Sequence, residues 1–73
     1  MDSLQRSAER RARLIQAGVQ VFGTKGFHSA TVKQICAEAG LTERYFYESF
    51  ENLNALFLAT YDHELERLRA VLM

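Results

Sequence analysis

Two short helical segments joined by a tight turn constrain this fold more than any other feature of the sequence. Residues 31–34, Thr-Val-Lys-Gln, have the pattern of a capping box, in which the threonine hydroxyl and the glutamine side chain satisfy each other's backbone amides. The helix that this box begins covers residues 32–39 and ends at Gly40, where a left-handed backbone is favoured. Thr42 is a second candidate N-cap, for another short helix from about residue 43 to 49.

Longer helical patterns flank this pair. The first helix is predicted from about Leu4 to Thr24, and its stop and turn are assigned to Gly23 and Gly26, with Phe27 packed behind them. Gly18 lies inside that helix at a cost of about 1 kcal/mol relative to alanine, so we expect another helix to approach it closely. The last helix begins after Asn52 and carries a mainly apolar stripe: Leu53, Leu56, Phe57, Thr60, Tyr61, Leu65, Leu68 and Leu72.

The fold class follows from what the sequence lacks. The chain has no proline and no extended stretch in which apolar and polar residues alternate, so it is predicted to be all-α. At 73 residues it has room for one small core. We expect a three-helix head over residues 1–52 and a longer helix over residues 53–73.

Composition excludes several classes of protein. The lone cysteine, Cys36, cannot form an internal disulfide and is expected to pack as a small apolar side chain in a reducing compartment. His28 and His63 have no companions at ligand spacing, so no metal site and no cofactor are predicted. No apolar run is long enough for a membrane span, and no serine or threonine has a base and an orienting group around it, so an enzyme is not expected.

The zero net charge conceals two opposed halves. Residues 1–44 hold seven basic and four acidic side chains, a net charge of +3, whereas residues 45–73 hold two and five, a net charge of −3. The positive half contains the pair of short helices, whose layout is that of a helix-turn-helix. The positive charge of this half favours binding to nucleic acid. The second short helix could enter the major groove of DNA, because that groove is wide enough for one α-helix.

At this point the sequence resembles the DNA-binding domain of the tetracycline-repressor (TetR) family of bacterial transcription regulators. The resemblance covers residues 14–57, about 44 positions, and depends on an ordered set of short motifs. These are Leu14 to Gly18 with Val21-Phe22, Gly26-Phe27, Thr31 to Cys36, Ala39 to Thr42, and Phe46-Tyr47 with Phe50 and Leu56.

The resemblance implies a three-helix, homeodomain-like head whose fourth helix leads to a ligand-binding and dimerisation domain outside these 73 residues, which we therefore expect to be a fragment. Its implied partner is double-stranded DNA with a palindromic operator, bound in the cytoplasm by a homodimer of the full-length protein. A small-molecule effector would act only through that further domain, and no membrane is involved. The implied DNA-binding residues are Thr31, Lys33, Thr42, Glu43, Arg44, Tyr45, Tyr47 and Ser49, with Arg6 and Arg10 as further candidates for the DNA backbone.

Several of these residues have structural alternatives that the sequence leaves open. Arg44 contacts guanine or pairs with Glu48 four residues later. Tyr45 contacts DNA or packs back on the first helix. Glu43 accepts from a cytosine amino group or simply favours the helix start. Tyr47 contacts DNA, packs on the core, or both. The arginines at 6, 10, 11 and 13 reach DNA or form a solvated face.

Two departures from the family pattern predict weaker contact with the DNA backbone. Ser49 stands where the family commonly has histidine, and Leu53 where it commonly has a lysine that donates to a phosphate. The leading hypothesis is sequence-specific DNA binding, most often repression in this family, with residues 43–49 in the major groove. The rival hypothesis is a protein-interaction or dimerisation module that has lost DNA binding.

Overall fold

The computed structural model describes residues 3–72, which form four α-helices and one short 3-10 turn and contain no strand. Helix α1 spans Ser3–Lys25, and the 3-10 turn Phe27–Ser29 follows it. The two short helices are α2, Val32–Ala39, and α3, Glu43–Ser49. Helix α4 spans Leu53–Leu72. The prediction of an all-α chain with two short helices between two longer ones is therefore confirmed.

The ends of the short helices follow the predicted chemistry at all but one position. The capping box is formed, because the Thr31 hydroxyl accepts from the Gln34 amide at 3.1 Å and the Gln34 side chain accepts from the Thr31 amide at 3.0 Å. Gly40 has a φ of +71°, the left-handed conformation expected at the end of α2. Thr42 precedes α3 in an extended conformation, but its hydroxyl makes no capping hydrogen bond. Thr42 is therefore the N-cap residue of α3, as predicted, but without the side-chain hydrogen bond that such a residue usually makes.

The first helix ends later than predicted. Gly23 lies inside α1, which continues to Lys25. The chain leaves the helix at Gly26, whose φ is +81° and whose amide still donates to the Phe22 carbonyl at 3.0 Å. Phe27 then packs behind the turn as expected, with its ring centroid 5.8 Å from that of Phe22 and 5.1 Å from that of Phe57. A glycine thus marks the end of α1, but it is Gly26 alone.

One core joins all four helices. Each α-helix contributes one apolar side chain that is wholly inaccessible to solvent: Leu14, Ile35, Phe46 and Leu56. The first turns of α4 are therefore part of the core. The Asn52 side chain begins this helix by accepting from the Ala55 amide at 2.8 Å, as predicted.

The later part of α4 leaves the core. The apolar side chains of this segment are exposed by 41% to 80%: Tyr61, Leu65, Leu68, Val71 and Leu72. The described part of the chain contains no helix that is both long and apolar enough to cross a membrane.

Candidate nucleic-acid interface

The outer face of α3 is set by its two inward phenylalanines. Phe46 is wholly buried and Phe50 is 5% exposed, so the four-residue spacing holds one side of the helix on the core. On the outer side Arg44 is exposed, and Tyr47 is 55% exposed with its ring edge against Phe46. This helix therefore presents a guanidinium and a phenol side by side to solvent.

Arg44 does not take the intrahelical partner that its spacing allows. Among residues 3–72 no carboxylate lies within ion-pair distance of Arg44, and its guanidinium carbon lies 5.7 Å from the centre of the Tyr45 ring. The alternative pairing of Arg44 with Glu48 is wrong, because Glu48 is bound by a residue of α1. The guanidinium donors of Arg44 therefore remain available to a ligand.

The residue of α1 that binds Glu48 is Arg10. Its Nε and Nη2 atoms donate to Glu48 Oε1 at 3.1 and 2.9 Å, and Nη2 also donates to Oε2 at 3.0 Å. The same guanidinium lies over the Tyr45 ring, with 4.4 Å from its carbon to the ring centre. We call the three residues Arg10, Tyr45 and Glu48 the α1–α3 clamp. Tyr45 thus packs on the first helix, one of the two alternatives left open.

Two more arginines of α1 hold the helix-turn-helix from the same side. Arg13 Nη2 donates to the carbonyl of Ala39 at 2.8 Å and to that of Gly40 at 3.4 Å, so it satisfies acceptors at the end of α2. The Arg11 guanidinium lies 5.1 Å from the centre of the Phe50 ring. Of the four arginines proposed for DNA contact or solvent, only Arg6 has neither a hydrogen bond nor an ion pair nor a ring contact within the described residues.

The sequence contains a signal for these contacts. Arg10 lies four residues before Leu14 and seven before Ala17, so it extends the buried stripe of α1 by one turn. Arg11 has the same relation to Ile15 and Gly18, which are also buried. An arginine in register with a core stripe is placed over the edge of the core. That register, rather than the side chain's charge, indicates its partners.

The remaining predicted residues surround α3. Thr31, Lys33, Thr42 and Glu43 are all exposed, and Lys33 has no carboxylate partner among residues 3–72. Ser49 is half-buried, and Leu53 is half-buried against the core. Hydroxyl groups and one ammonium are therefore exposed at the starts of α2 and α3.

Two titratable residues outside this face, Cys36 and His63, have surroundings that the structure describes. Burial raises the pKa of the Cys36 thiol above its ordinary value of 9.0, and the negative charge of Glu43 raises it further. His63 contacts the Gln16 side chain, with 3.4 Å between the two nitrogens. Within residues 3–72 no three residues of the His, Cys, Asp and Glu types are grouped so that they could hold a metal ion.

Comparison with known proteins identifies relatives of this chain. Residues 14–60 match the family model described as bacterial regulatory proteins, tetR family. The chain is 34% identical over 71 residues to the HTH-type transcriptional regulator UidR of Escherichia coli K12. The aligned stretch covers 96% of this chain and 36% of UidR. It is 38% identical over 52 residues to the uncharacterized HTH-type transcriptional regulator YdgC of Bacillus subtilis, covering 71% of this chain and 27% of YdgC.

A third relative is named a transcriptional activator. The chain is 32% identical over 60 residues to the HTH-type transcriptional activator FasR of Mycolicibacterium smegmatis, covering 82% of this chain and 27% of FasR. The chain spans about a third or less of the length of these curated relatives. No solved structure matches it.

Proposed function

The chain belongs to the tetR family of bacterial regulatory proteins, and we propose that it binds double-stranded DNA with α3 in the major groove. The family consists of DNA-binding transcription factors and not of enzymes. The observation that carries the proposal is the outward pair Arg44 and Tyr47, which is exposed on a helix that is otherwise fixed to the core.

The proposed roles follow from the chemistry of each side chain. Arg44, without an ion-pair partner among residues 3–72, binds a guanine through two hydrogen bonds, and Glu43 beside it accepts from a cytosine amino group. Thr31, Lys33 and Thr42 hold the phosphates on either side, together with Tyr47 and Ser49. Thr42 is suited to this role because its hydroxyl is not used in capping α3. Tyr45, which is half-buried, contacts the DNA with the part of its ring that remains exposed.

The biological context is proposed from family membership. Residues 1–52 act as the three-helix DNA-binding head, and residues 53–73 connect that head to the ligand-binding and dimerisation domain. In the full-length protein two such heads bind the halves of a palindromic operator in the bacterial cytoplasm. A small effector acts through a domain beyond these residues. The regulatory sign is proposed to be repression, although FasR is named an activator.

Selection from a pool of random duplexes tests this proposal. The chain is incubated with the pool at low salt, bound duplexes are recovered and sequenced, and the cycle is repeated. We expect enrichment of a short motif that contains a guanine. The Arg44→Ala variant, which loses no ion pair of the described residues, should lose the preference for that guanine. Recovery of an unchanged random pool by the wild-type chain would contradict the proposal.

The exposed apolar stripe of α4 favours a second candidate function. Tyr61, Leu65 and Leu68 are 58%, 41% and 56% exposed, which suits contact with another protein surface. If the chain is a dimerisation module without DNA binding, sedimentation will show a stable dimer and the selection will enrich nothing.

A further inference from the structure

We propose that Arg10 is a positioning residue, which fixes α3 in the orientation that base recognition requires instead of contacting the DNA backbone itself. The inference rests on the proposed function, because it assigns a role within the same DNA-binding face. It replaces the direct phosphate contact expected of Arg10 from the sequence with an indirect contribution through Glu48 and Tyr45.

The geometry shows that the guanidinium is already committed. Two of its nitrogen atoms donate to the Glu48 carboxylate, at 2.9 to 3.1 Å, and its central carbon lies over the Tyr45 ring, 4.4 Å from the ring centre. The Arg10 side chain is only 20% exposed. Ser7 of α1 adds a hydroxyl that donates to the same carboxylate at 3.4 Å. A forked, charge-assisted pair of this kind fixes direction as well as distance.

Helix α3 needs such a constraint because it is short. It has seven residues, and Phe46 is its only buried side chain, with Phe50 following at its end. Both phenylalanines contact the core from one side. The α1–α3 clamp holds Tyr45 and Glu48 on another side, next to Arg44. A recognition side chain must be held to within about 0.5 Å to keep two hydrogen bonds to one base, so this second attachment bears directly on specificity.

The clamp also neutralises a charge that would oppose binding. Glu48 lies one helical turn after Arg44 on α3, and an unpaired carboxylate there would repel the phosphates. Arg10 bonds to both of its oxygens. Arg10 therefore has two effects on the DNA-binding face without contacting DNA. It fixes the orientation of α3, and it neutralises the negative charge of Glu48.

The test compares three variants of the full chain: Arg10→Lys, Arg10→Gln and the matched control Arg6→Gln. Affinity is measured by fluorescence anisotropy for the duplex selected by the wild-type chain and for a mixed-sequence duplex, each over a series of salt concentrations. Lysine keeps the positive charge but loses the planar fork, so it separates positioning from phosphate binding. Circular dichroism and thermal melting establish that each variant is folded.

We expect Arg10→Lys to weaken binding of the selected duplex by about tenfold, since the aligned base contact is lost, and binding of the mixed duplex by less than about twofold. Its salt dependence should not change, because no phosphate contact is removed. Arg10→Gln should lower the ratio of the two affinities at least as far. Arg6→Gln should leave that ratio unchanged, because Arg6 is exposed, has no partner among residues 3–72 and would therefore act only on phosphates.

Three results would overturn the inference. One is Arg10→Lys with both affinities as in the wild type. Another is Arg10→Lys with both affinities lowered by the same factor, which would mean that the guanidinium contributes equally to the binding of any duplex. The third is an unchanged ratio in every folded Arg10 variant. Failure of the proposed function is recognised separately, because the wild-type chain would then bind neither duplex.

Discussion

Gly18 of α1 lies directly against Thr60 of α4. A β-carbon built on Gly18 would be 2.7 Å from the Thr60 methyl carbon and 3.3 Å from a methyl of Leu56. Thr60 is only 5% exposed, and its hydroxyl donates to the Phe57 carbonyl at 2.7 Å, so it has little freedom to move. The glycine inside α1 is therefore explained by the close approach of α4, as the sequence led us to expect.

The first prediction concerns this contact. Gly18→Ala gains up to about 1 kcal/mol of helix propensity but overpacks the α1–α4 contact, at a cost of about 1–3 kcal/mol. We expect a net loss of about 1 kcal/mol in the free energy of unfolding, measured by urea denaturation. Adding Thr60→Ser, which removes the obstructing methyl, should recover part of that loss.

Gly23→Ala is the matched control for Gly18→Ala. Gly23 is also inside α1, but nothing lies within 4 Å of the position of its β-carbon. The substitution should therefore stabilise the chain by about 0.5–1 kcal/mol. If both alanine variants change stability equally, close helix contact does not explain Gly18.

The second prediction separates the two threonines that precede the short helices. Thr31→Ala removes a formed capping box and should lower the free energy of unfolding by about 1 kcal/mol. Thr42→Ala removes no capping bond and should change stability by less than about 0.5 kcal/mol. Thermal melting of the two variants measures the difference. Equal destabilisation would mean that Thr42 does cap α3 in solution.

The third prediction contrasts two proposed phosphate contacts. Lys33→Gln should weaken DNA binding and reduce the salt slope by about 0.9, because one cationic contact is lost. Tyr47→Phe should weaken binding by about threefold to tenfold with an unchanged salt slope, because only a neutral hydroxyl donor is lost. Anisotropy titrations over a salt series measure both quantities. A Tyr47→Phe variant with wild-type affinity would restrict Tyr47 to its packing against Phe46.

The fourth prediction follows from the raised pKa of Cys36. In the unfolded chain the thiol ionises near its ordinary value of 9.0, whereas in the folded chain burial keeps it protonated to higher pH. The folded state is therefore favoured fully below that pH and loses this contribution as pH rises above it. Urea denaturation of the wild-type chain and of Cys36→Ala, at about pH 8 and about pH 10, measures the effect. The stability difference between the two proteins should shrink at the higher pH, and a constant difference would contradict the prediction.

Local rules predicted most of this fold. The capping box at Thr31, the left-handed Gly40 and the Asn52 cap depend on residues within four positions, and all three are present. The predicted end of α1 at about Thr24 lies one residue before the observed end at Lys25. Thr42 is the N-cap residue of α3 as predicted, but its hydroxyl makes no capping bond, because cap geometry depends on how the turn is held and not on the residue type alone.

The candidate site was predicted less completely than the fold. Sequence spacing placed Arg44 next to Glu48, but the structure gives Glu48 to Arg10, 38 positions earlier in the chain. Whether Glu48 pairs with its neighbour Arg44 or with the distant Arg10 depends on how α1 packs against α3. The spacing of residues within α3 gives no information about that packing. The helical register of Arg10 with Leu14 was the available clue.

The salt dependence of DNA binding by the wild-type chain tests the proposal that this chain is a DNA-binding domain. We expect measurable binding to the selected duplex at low salt. The slope of log affinity against log salt should be about −2, as expected for two cationic phosphate contacts, made by Lys33 and Arg6. Binding to mixed-sequence DNA should be weaker with a similar slope. No binding to either duplex at low salt, together with a stable dimer in solution, would contradict the account.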